Sequence, residues 1–225
     1  MDVVVNAATS ADGKLSTRAR RQVRISGEAD FARVDRLRAS ADAVLVGVGT
    51  VLADDPSLVR HDREHRRTLH ERGAVGDGPP ARVVADSRGR TPVDAAILEG
   101  APPTDVFVSE AAPTDRREAL VAAGATVHVA GAERVDLRSM CETLADGGAN
   151  RLLVEGGGEL IFSLFDAGLV DRLSVFLGPV VIGGREAPTL ADGEGFLESE
   201  GFPELRLDGV ERLDDGVLLE WDVVG

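Results

Sequence analysis

The 225-residue sequence predicts an α/β fold with a mostly parallel central sheet and helices on both faces. Three observations carry this. Short apolar runs alternate with helix-patterned segments along the whole chain. Glycines close several of those segments. Residues 205–224 read as two strands around Asp214-Asp215-Gly216, a hairpin signal that gives such a sheet antiparallel edge strands.

Taken in order, residues 3–7 read as a strand. Residues 31–39 follow as a helix with Phe31, Val34 and Leu37 at helical spacing. Residues 43–47, Ala-Val-Leu-Val-Gly, form a buried strand. Residues 82–85 and 106–108 are further strands. Residues 115–123 are a helix that stops at Gly124, a residue suited to a left-handed terminus. Residues 125–129 are a strand and 136–145 a helix closed by Gly147-Gly148. Residues 151–154 are a strand, 160–167 a helix closed by Gly168, and 173–177 a strand. Residues 61–80 are charged and end in Gly76-Asp77-Gly78-Pro79-Pro80, so they read as a surface loop. No internal repeat is visible, and residues 1–225 are expected to form a single domain.

Composition narrows the function classes. Thirty-nine acidic and 25 basic residues give a formal charge of −14, which argues against nonspecific nucleic-acid binding. Lys14 is the sole lysine. Abundant acid with scarce lysine points to a halophilic cytoplasmic protein, the alternative being a codon bias toward arginine. No run of about 18 apolar residues is present to span a membrane, and the N-terminus lacks the basic flank of a signal peptide. Cys141 is the only cysteine, which excludes internal disulfides and a multi-thiolate zinc site. An anionic ligand therefore needs a local arginine cluster that overrides the global field.

Several constellations can carry chemistry. Leu152-Leu153-Val154 runs into Glu155-Gly156-Gly157-Gly158, and a helix begins at once. A glycine turn at the carboxyl end of a parallel strand lets backbone amides approach a phosphate at a helix N-terminus. No Gly-Lys-Ser/Thr follows, so it is not a P-loop. The plain alternatives are a tight connection without a ligand and, for Glu155, a solvated carboxylate. Gly47-Val48-Gly49-Thr50 is a second strand end of this kind. There Thr50 reads as a helix cap, and Asp54 lies one turn later on the same face. Arg38 and Arg60 flank this motif and are candidates for a phosphate clamp, with surface ion pairs as the alternative. The strand at 82–85 ends in Asp86-Ser87-Arg88, where Ser and Arg can receive a phosphate such as the 2′-phosphate of NADP. His61, His65 and His70 crowd the 61–80 segment, but no metal site is expected there. Cys141 and Trp221 read as packing residues.

Together these residues resemble a known family. Asn6-Ala7-Ala8-Thr9-Ser10-Ala11-Asp12-Gly13-Lys14-Leu15 is similar to the opening of the riboflavin-biosynthesis reductases. So are Arg38-Ala39, the stretch Gly49-Thr50-Val51-Leu52-Ala53-Asp54-Asp55-Pro56-Ser57-Leu58, Val84-Ala85-Asp86-Ser87, Glu155-Gly156-Gly157-Gly158 and Gly178-Pro179. Arg24 departs from the pattern, standing where bacterial members often have an aromatic. The resemblance implies a dihydrofolate-reductase-like fold, NADPH as cofactor (NADH being possible) and a homodimer. It implies reduction of a ribosylamino to a ribitylamino group on a pyrimidinone 5′-phosphate. A chain without the fused deaminase resembles the archaeal form, whose substrate is 2,5-diamino-6-(ribosylamino)-4(3H)-pyrimidinone 5′-phosphate. The alternatives are the deaminated 5-amino-6-(5-phosphoribosylamino)uracil, a folate or pterin reductase, and a nucleotide-binding regulatory module. By matching position, Ala8, Thr50, Asp54, Val84, Ala85, Asp86 and Ser87 are implied to contact the cofactor. Gly156, Gly157, Gly158 and Glu159 are implied to hold its diphosphate. Arg38, Leu58, Arg60 and Glu155 are implied to line the substrate. Asp54, Glu155 and Lys14 are the candidate proton donors, Asp54 and Glu155 being the expected catalytic residues.

Overall fold

The computed structural model describes residues 1–21, 23–100 and 103–224. In chain order the elements are β1 (Asp2–Ser10), α1 (Glu28–Ser40), β2 (Ala43–Gly47), α2 (Val48–Asp54), α3 (Arg63–Glu71), β3 (Ala81–Ala85), β4 (Thr104–Val108), α4 (Thr114–Ala122), β5 (Thr126–Val129), α5 (Leu137–Asp146), β6 (Arg151–Val154), α6 (Gly158–Asp166), β7 (Arg172–Gly178), β8 (Glu204–Leu213) and β9 (Gly216–Val224). They group into two compact units. One holds Met1 and Asp35–Leu153, the other Asp2–Val34 and Val154–Gly225.

In the first unit the strand order is β5-β4-β3-β2-β6. The pairs β2–β3, β3–β4 and β4–β5 are parallel. All five residues of β2 are buried, as a continuous apolar run in a parallel sheet requires. Asp136 caps α5 by accepting from the amides of Arg138 and Ser139, both at 3.0 Å. Gly124 follows α4 with φ +94°, the left-handed terminus expected there.

The 61–80 segment is not simply a loop, because it contains α3. The Asp62 carboxylate accepts from the His65 amide at 2.9 Å and starts the helix. No apolar stripe announces α3. Its one buried residue is Arg66, whose guanidinium donates to the carbonyls of Ala39 at 3.1 Å, Ala41 at 2.6 Å and Gly78. A helix held by a buried arginine is invisible to a search for apolar periodicity.

In the second unit the order is β1-β7-β9-β8. β1 runs parallel to β7, and β7–β9 and β8–β9 are antiparallel. The expected hairpin turns at Asp214 and Asp215. Gly216 follows, where a Cβ would strike the Leu177 carbonyl and the Phe176 ring. The Asp214 carboxylate also caps α1, accepting from the amides of Ala29 at 3.2 Å and Asp30 at 3.1 Å. Arg33 bonds Asp30 at 2.9 Å, Ser174 at 2.9 Å and Asn6 at 2.7 Å. Phe31, one of the apolar residues at helical spacing on α1, is 42% exposed. The Arg24 guanidinium lies 5.9 Å from its ring centroid, so the helix is anchored through polar groups and the ring is covered by a cation.

Candidate active site

In the first unit β2 and β3 end side by side, with Gly47 in register with Ala85. The chain passes from Gly47 into α2 without a loop. Gly47 has the extended backbone of an N-cap (φ −79°, ψ 152°). Thr50 is therefore the third residue of the helix and does not cap it, contrary to the sequence reading. Its hydroxyl has no partner among the described residues and is available at the strand end. Asp54 lies one turn further on. It is solvent-accessible, yet the protein around it withdraws enough water to raise its carboxyl pKa.

At the end of β3, Val84 is buried and Ala85 half-buried. The Asp86 side chain is fully buried. One of its oxygens accepts from the Thr91 amide at 2.7 Å and hydroxyl at 2.8 Å, and the other has no partner among the described residues. Asp86 thus builds the turn from Ser87 to Thr91. Ser87 Oγ accepts from the Val135 amide at 3.0 Å. Arg88 is engaged by Glu133 at 3.0 Å and the Ala111 carbonyl.

The two expected clamp arginines are neighbours. Arg38 Nη1 donates to the Arg60 carbonyl at 3.2 Å. Arg60 Nε donates to Asp35 Oδ2 at 2.8 Å, and the Arg60 side chain is 73% exposed. The Asp62 amide donates to the Asp35 carbonyl at 2.9 Å. The surface ion pair and the arginine cluster, set as alternatives by the sequence, are one arrangement. Asp35 was missed, although it lies one helical turn before Arg38 on α1. Leu58 is buried with φ +53°. Its left-handed backbone swings the chain so that Val59 and Arg60 face outward.

His61 and His70 each place Nδ1 on a backbone carbonyl, of Val59 at 3.0 Å and Val75 at 3.3 Å. Among the described residues no His, Cys, Asp and Glu side chains group to hold a metal ion. Cys141 is buried and forms no disulfide.

In the second unit Ala8 is half-buried on β1, and Glu155, also half-buried, follows the end of β6. The Gly156–Gly157 peptide is cis, and Gly156 has φ +129°, a region that favours glycine. Gly157 is the N-cap of α6 and Gly158 its first residue, with Glu159 exposed in the first turn. The amides of Gly156, Gly157 and Gly158 donate to no acceptor among the described residues. This turn fits a diphosphate: its own three residues carry no side chain, and it presents backbone donors at the positive end of a helix, with the Asp192 carboxylate packed beside Gly158.

A segment that the sequence did not single out packs on the turn. A Cβ on Gly158 would come within 2.5 Å of the Thr189 carbonyl, and the Asp192 amide donates to the Gly158 carbonyl at 3.1 Å. Thr189 bridges to Lys14, whose Nζ donates to the Ala187 carbonyl at 3.4 Å. Near Lys14, the Asp12 carboxylate accepts from Ser10 Oγ at 2.6 Å and the amides of Ile182 at 3.0 Å and Gly183 at 2.7 Å. These bonds, led by the Ser10 hydroxyl and then the Ile182 amide, lower its pKa to about 2.

Known proteins resemble this chain over nearly its whole length. Over 215 residues the chain is 47% identical to the 2,5-diamino-6-ribosylamino-4(3H)-pyrimidinone 5′-phosphate reductase of Archaeoglobus fulgidus, covering 95% of this chain and 94% of the relative. It is 42% identical over 223 residues to the protein of the same name from Methanothermobacter thermautotrophicus, covering 99% and 98%. The solved RibD of Acinetobacter baumannii superposes with a TM-score of 0.78 at 27% identity. It matches 100% of this chain, which spans 58% of that one. The α/β fold is the dihydrofolate-reductase-like one that the sequence implied. The RibD C-terminal domain matches residues 2–219, and the chain belongs to that family.

Proposed function

We propose that this protein is a reductase of riboflavin biosynthesis acting as one reductase domain over residues 1–225. It converts the ribosylamino group of 2,5-diamino-6-(ribosylamino)-4(3H)-pyrimidinone 5′-phosphate to ribitylamino, with NADPH as reductant. The observation that carries the reading is the glycine turn at the start of α6, whose amides are unengaged among the described residues. Two relatives at 47% and 42% identity bear the name of this reaction.

When bound, NADPH supplies the hydride that reduces C1′ of the sugar. In the second unit, Gly156, Gly157, Gly158 and Glu159 would hold its diphosphate by backbone donors and the α6 dipole. Ala8, half-buried on β1, is a further proposed contact of the cofactor. In the first unit, the Thr50 hydroxyl and Asp54 at the end of β2, and Val84, Ala85, Asp86 and Ser87 at the end of β3, are the proposed cofactor contacts. Arg38 and Arg60 would take the substrate 5′-phosphate, with Leu58 turning the chain that carries Arg60. Glu155 would line the substrate by hydrogen bonding. Rate comes mainly from orientation. A proton must also reach the opened sugar. Asp54 suits that task because its raised pKa lets it hold a proton further toward neutral pH than an ordinary carboxyl. Glu155 and Lys14 are the other donors within the residues named.

The protein is proposed to be cytoplasmic, salt-adapted and a homodimer. The hairpin supports the last point. A bulge between Leu207 and Gly209 keeps Leu205, Leu207 and Val210 on one face, opposite Val223, Trp221 and Leu219. The three β8 side chains are 42%, 55% and 61% exposed on an edge strand, a surface suited to a second copy.

The test is oxidation of NADPH by the purified protein with the diaminopyrimidinone phosphate and its deaminated counterpart side by side. Turnover of the first in preference to the second is expected. Preference for the second reassigns the substrate, and no turnover of either removes the enzyme reading.

A further inference from the structure

Arg66 is a buried cation outside the residues assigned to the reaction. It is 6% exposed, and burial lowers its pKa while the nearby Asp42 charge works the other way. A fixed charge in such a place is costly unless every donor is used. Two of its three partners lie at the end of α1. Ala39 is in the last turn of α1, Ala41 follows that helix, and Gly78 lies in the chain returning to β3. The guanidinium therefore takes up carbonyls that the end of α1 leaves unsatisfied. α1 carries Asp35 and Arg38. Asp35 holds Arg60 and the Asp62 amide, while Arg38 holds the Arg60 carbonyl. Asp62 in turn caps α3, the helix on which Arg66 sits. The circuit closes: α3 fixes the end of α1, α1 fixes residues 60–62, and residue 62 starts α3. Asp42 holds the far side of the same junction, accepting from the amides of Asn150 at 2.8 Å and Arg151 at 3.0 Å.

We propose that Arg66 is the positioning residue that holds Arg38 and Arg60 in register for the substrate phosphate. This rests on the reading of Arg38 and Arg60 as the phosphate clamp. Three diverging carbonyls match the planar fork of a guanidinium, whose donors sit on separated nitrogens, whereas an ammonium presents its three donors from a single point. Lysine at this position keeps the charge and loses the fork. The end of α1 then loosens, and two side chains that must meet one phosphate together lose their spacing. A displacement of about 1 Å at a substrate-holding group costs up to about a hundredfold in rate terms.

The experiment compares steady-state kinetics of the full-length protein, Arg66→Lys and Arg82→Lys. Arg82 is the control, because it is an equally buried arginine of the same unit that donates to the carbonyls of Glu99 and Gly100. Both variants are expected to melt earlier. Only Arg66→Lys is expected to raise KM for the phosphorylated substrate, by about tenfold, with KM for NADPH and kcat held within about twofold. An Arg66→Lys protein that melts earlier yet keeps the wild-type substrate KM overturns the proposal, as does an equal KM rise in Arg82→Lys. Should Arg66→Lys fail to fold, Asp62→Ala, which removes only the α3 cap, carries the test with the same two outcomes. Arg38→Ala and Arg60→Ala separate the two readings. If they leave substrate KM unchanged, the clamp itself falls. If they raise it and Arg66→Lys does not, only the positioning role falls.

Discussion

At the scale of single residues, the proposed clamp of Arg38 and Arg60 is built against the charge of its own protein. Arg60 is exposed and shares its guanidinium with Asp35 at 2.8 Å. An exposed pair of this kind adds little stability, so its value lies in aiming the side chain. Arg60→Ala is expected to leave the melting temperature nearly unchanged and to raise substrate KM about tenfold. That is about 1.5 kcal/mol, the low end for a charge-assisted bond in an open setting. An unchanged KM would remove Arg60 from the substrate. Asp12 gives a different kind of prediction. Its folded-state pKa is depressed from 3.8 to about 2, first by the Ser10 hydroxyl and next by the Ile182 amide. A depressed carboxyl stabilises the fold when ionised. Its contribution is whole above about pH 4 and fades as pH falls toward 2. Asp12→Asn should therefore melt earlier than wild type at pH 7, with the gap closing across that acid window. A gap independent of pH would show that the loss is steric.

At the scale of elements, what could be read from the sequence followed apolar pattern and glycine. β2 fell where its apolar run placed it, and α5 began at the acid that caps it. The β6–turn–α6 junction was legible because three glycines have few other uses between a buried strand and a helix. α3 was not legible, because its inward face is an arginine and its cap is one aspartate among many. The cap of α1 was not legible either, since Asp214 arrives from a hairpin far along the chain. The turn at Thr189–Asp192 belongs to the same class: only the folded chain brings it onto Gly158. Gly157→Val tests the junction. Gly157 has φ −84° and ψ 178°, an extended backbone open to any residue, so the substitution need not strain φ. Its branched side chain would stand among the donor amides. The expected result is a folded protein that no longer quenches or shifts NADPH fluorescence on titration. Wild-type NADPH affinity in that variant would mean the diphosphate lies elsewhere.

At the scale of the whole molecule, charge and the hairpin pull in opposite directions. Each copy carries −14, so two copies repel as they approach. Each also carries the bulge-aligned face of Leu205, Leu207 and Val210, backed by Leu219, Trp221 and Val223. Apolar burial favours association and does not weaken with salt, whereas repulsion between exposed charges is confined to about 10 Å at 0.1 M salt and about 3 Å at 1 M. Self-association of this protein should therefore tighten as potassium chloride is raised, the opposite of an interface held by ion pairs. Sedimentation velocity at low and high salt measures it directly. Leu207→Glu places a further charge in the centre of the face and should give a monomer at both salt concentrations, with the fold intact by circular dichroism. A variant that still dimerises like wild type would place the interface on another surface. A wild-type dimer that loosens with salt would show that charge pairing, and not the apolar stripe of the hairpin, joins the copies.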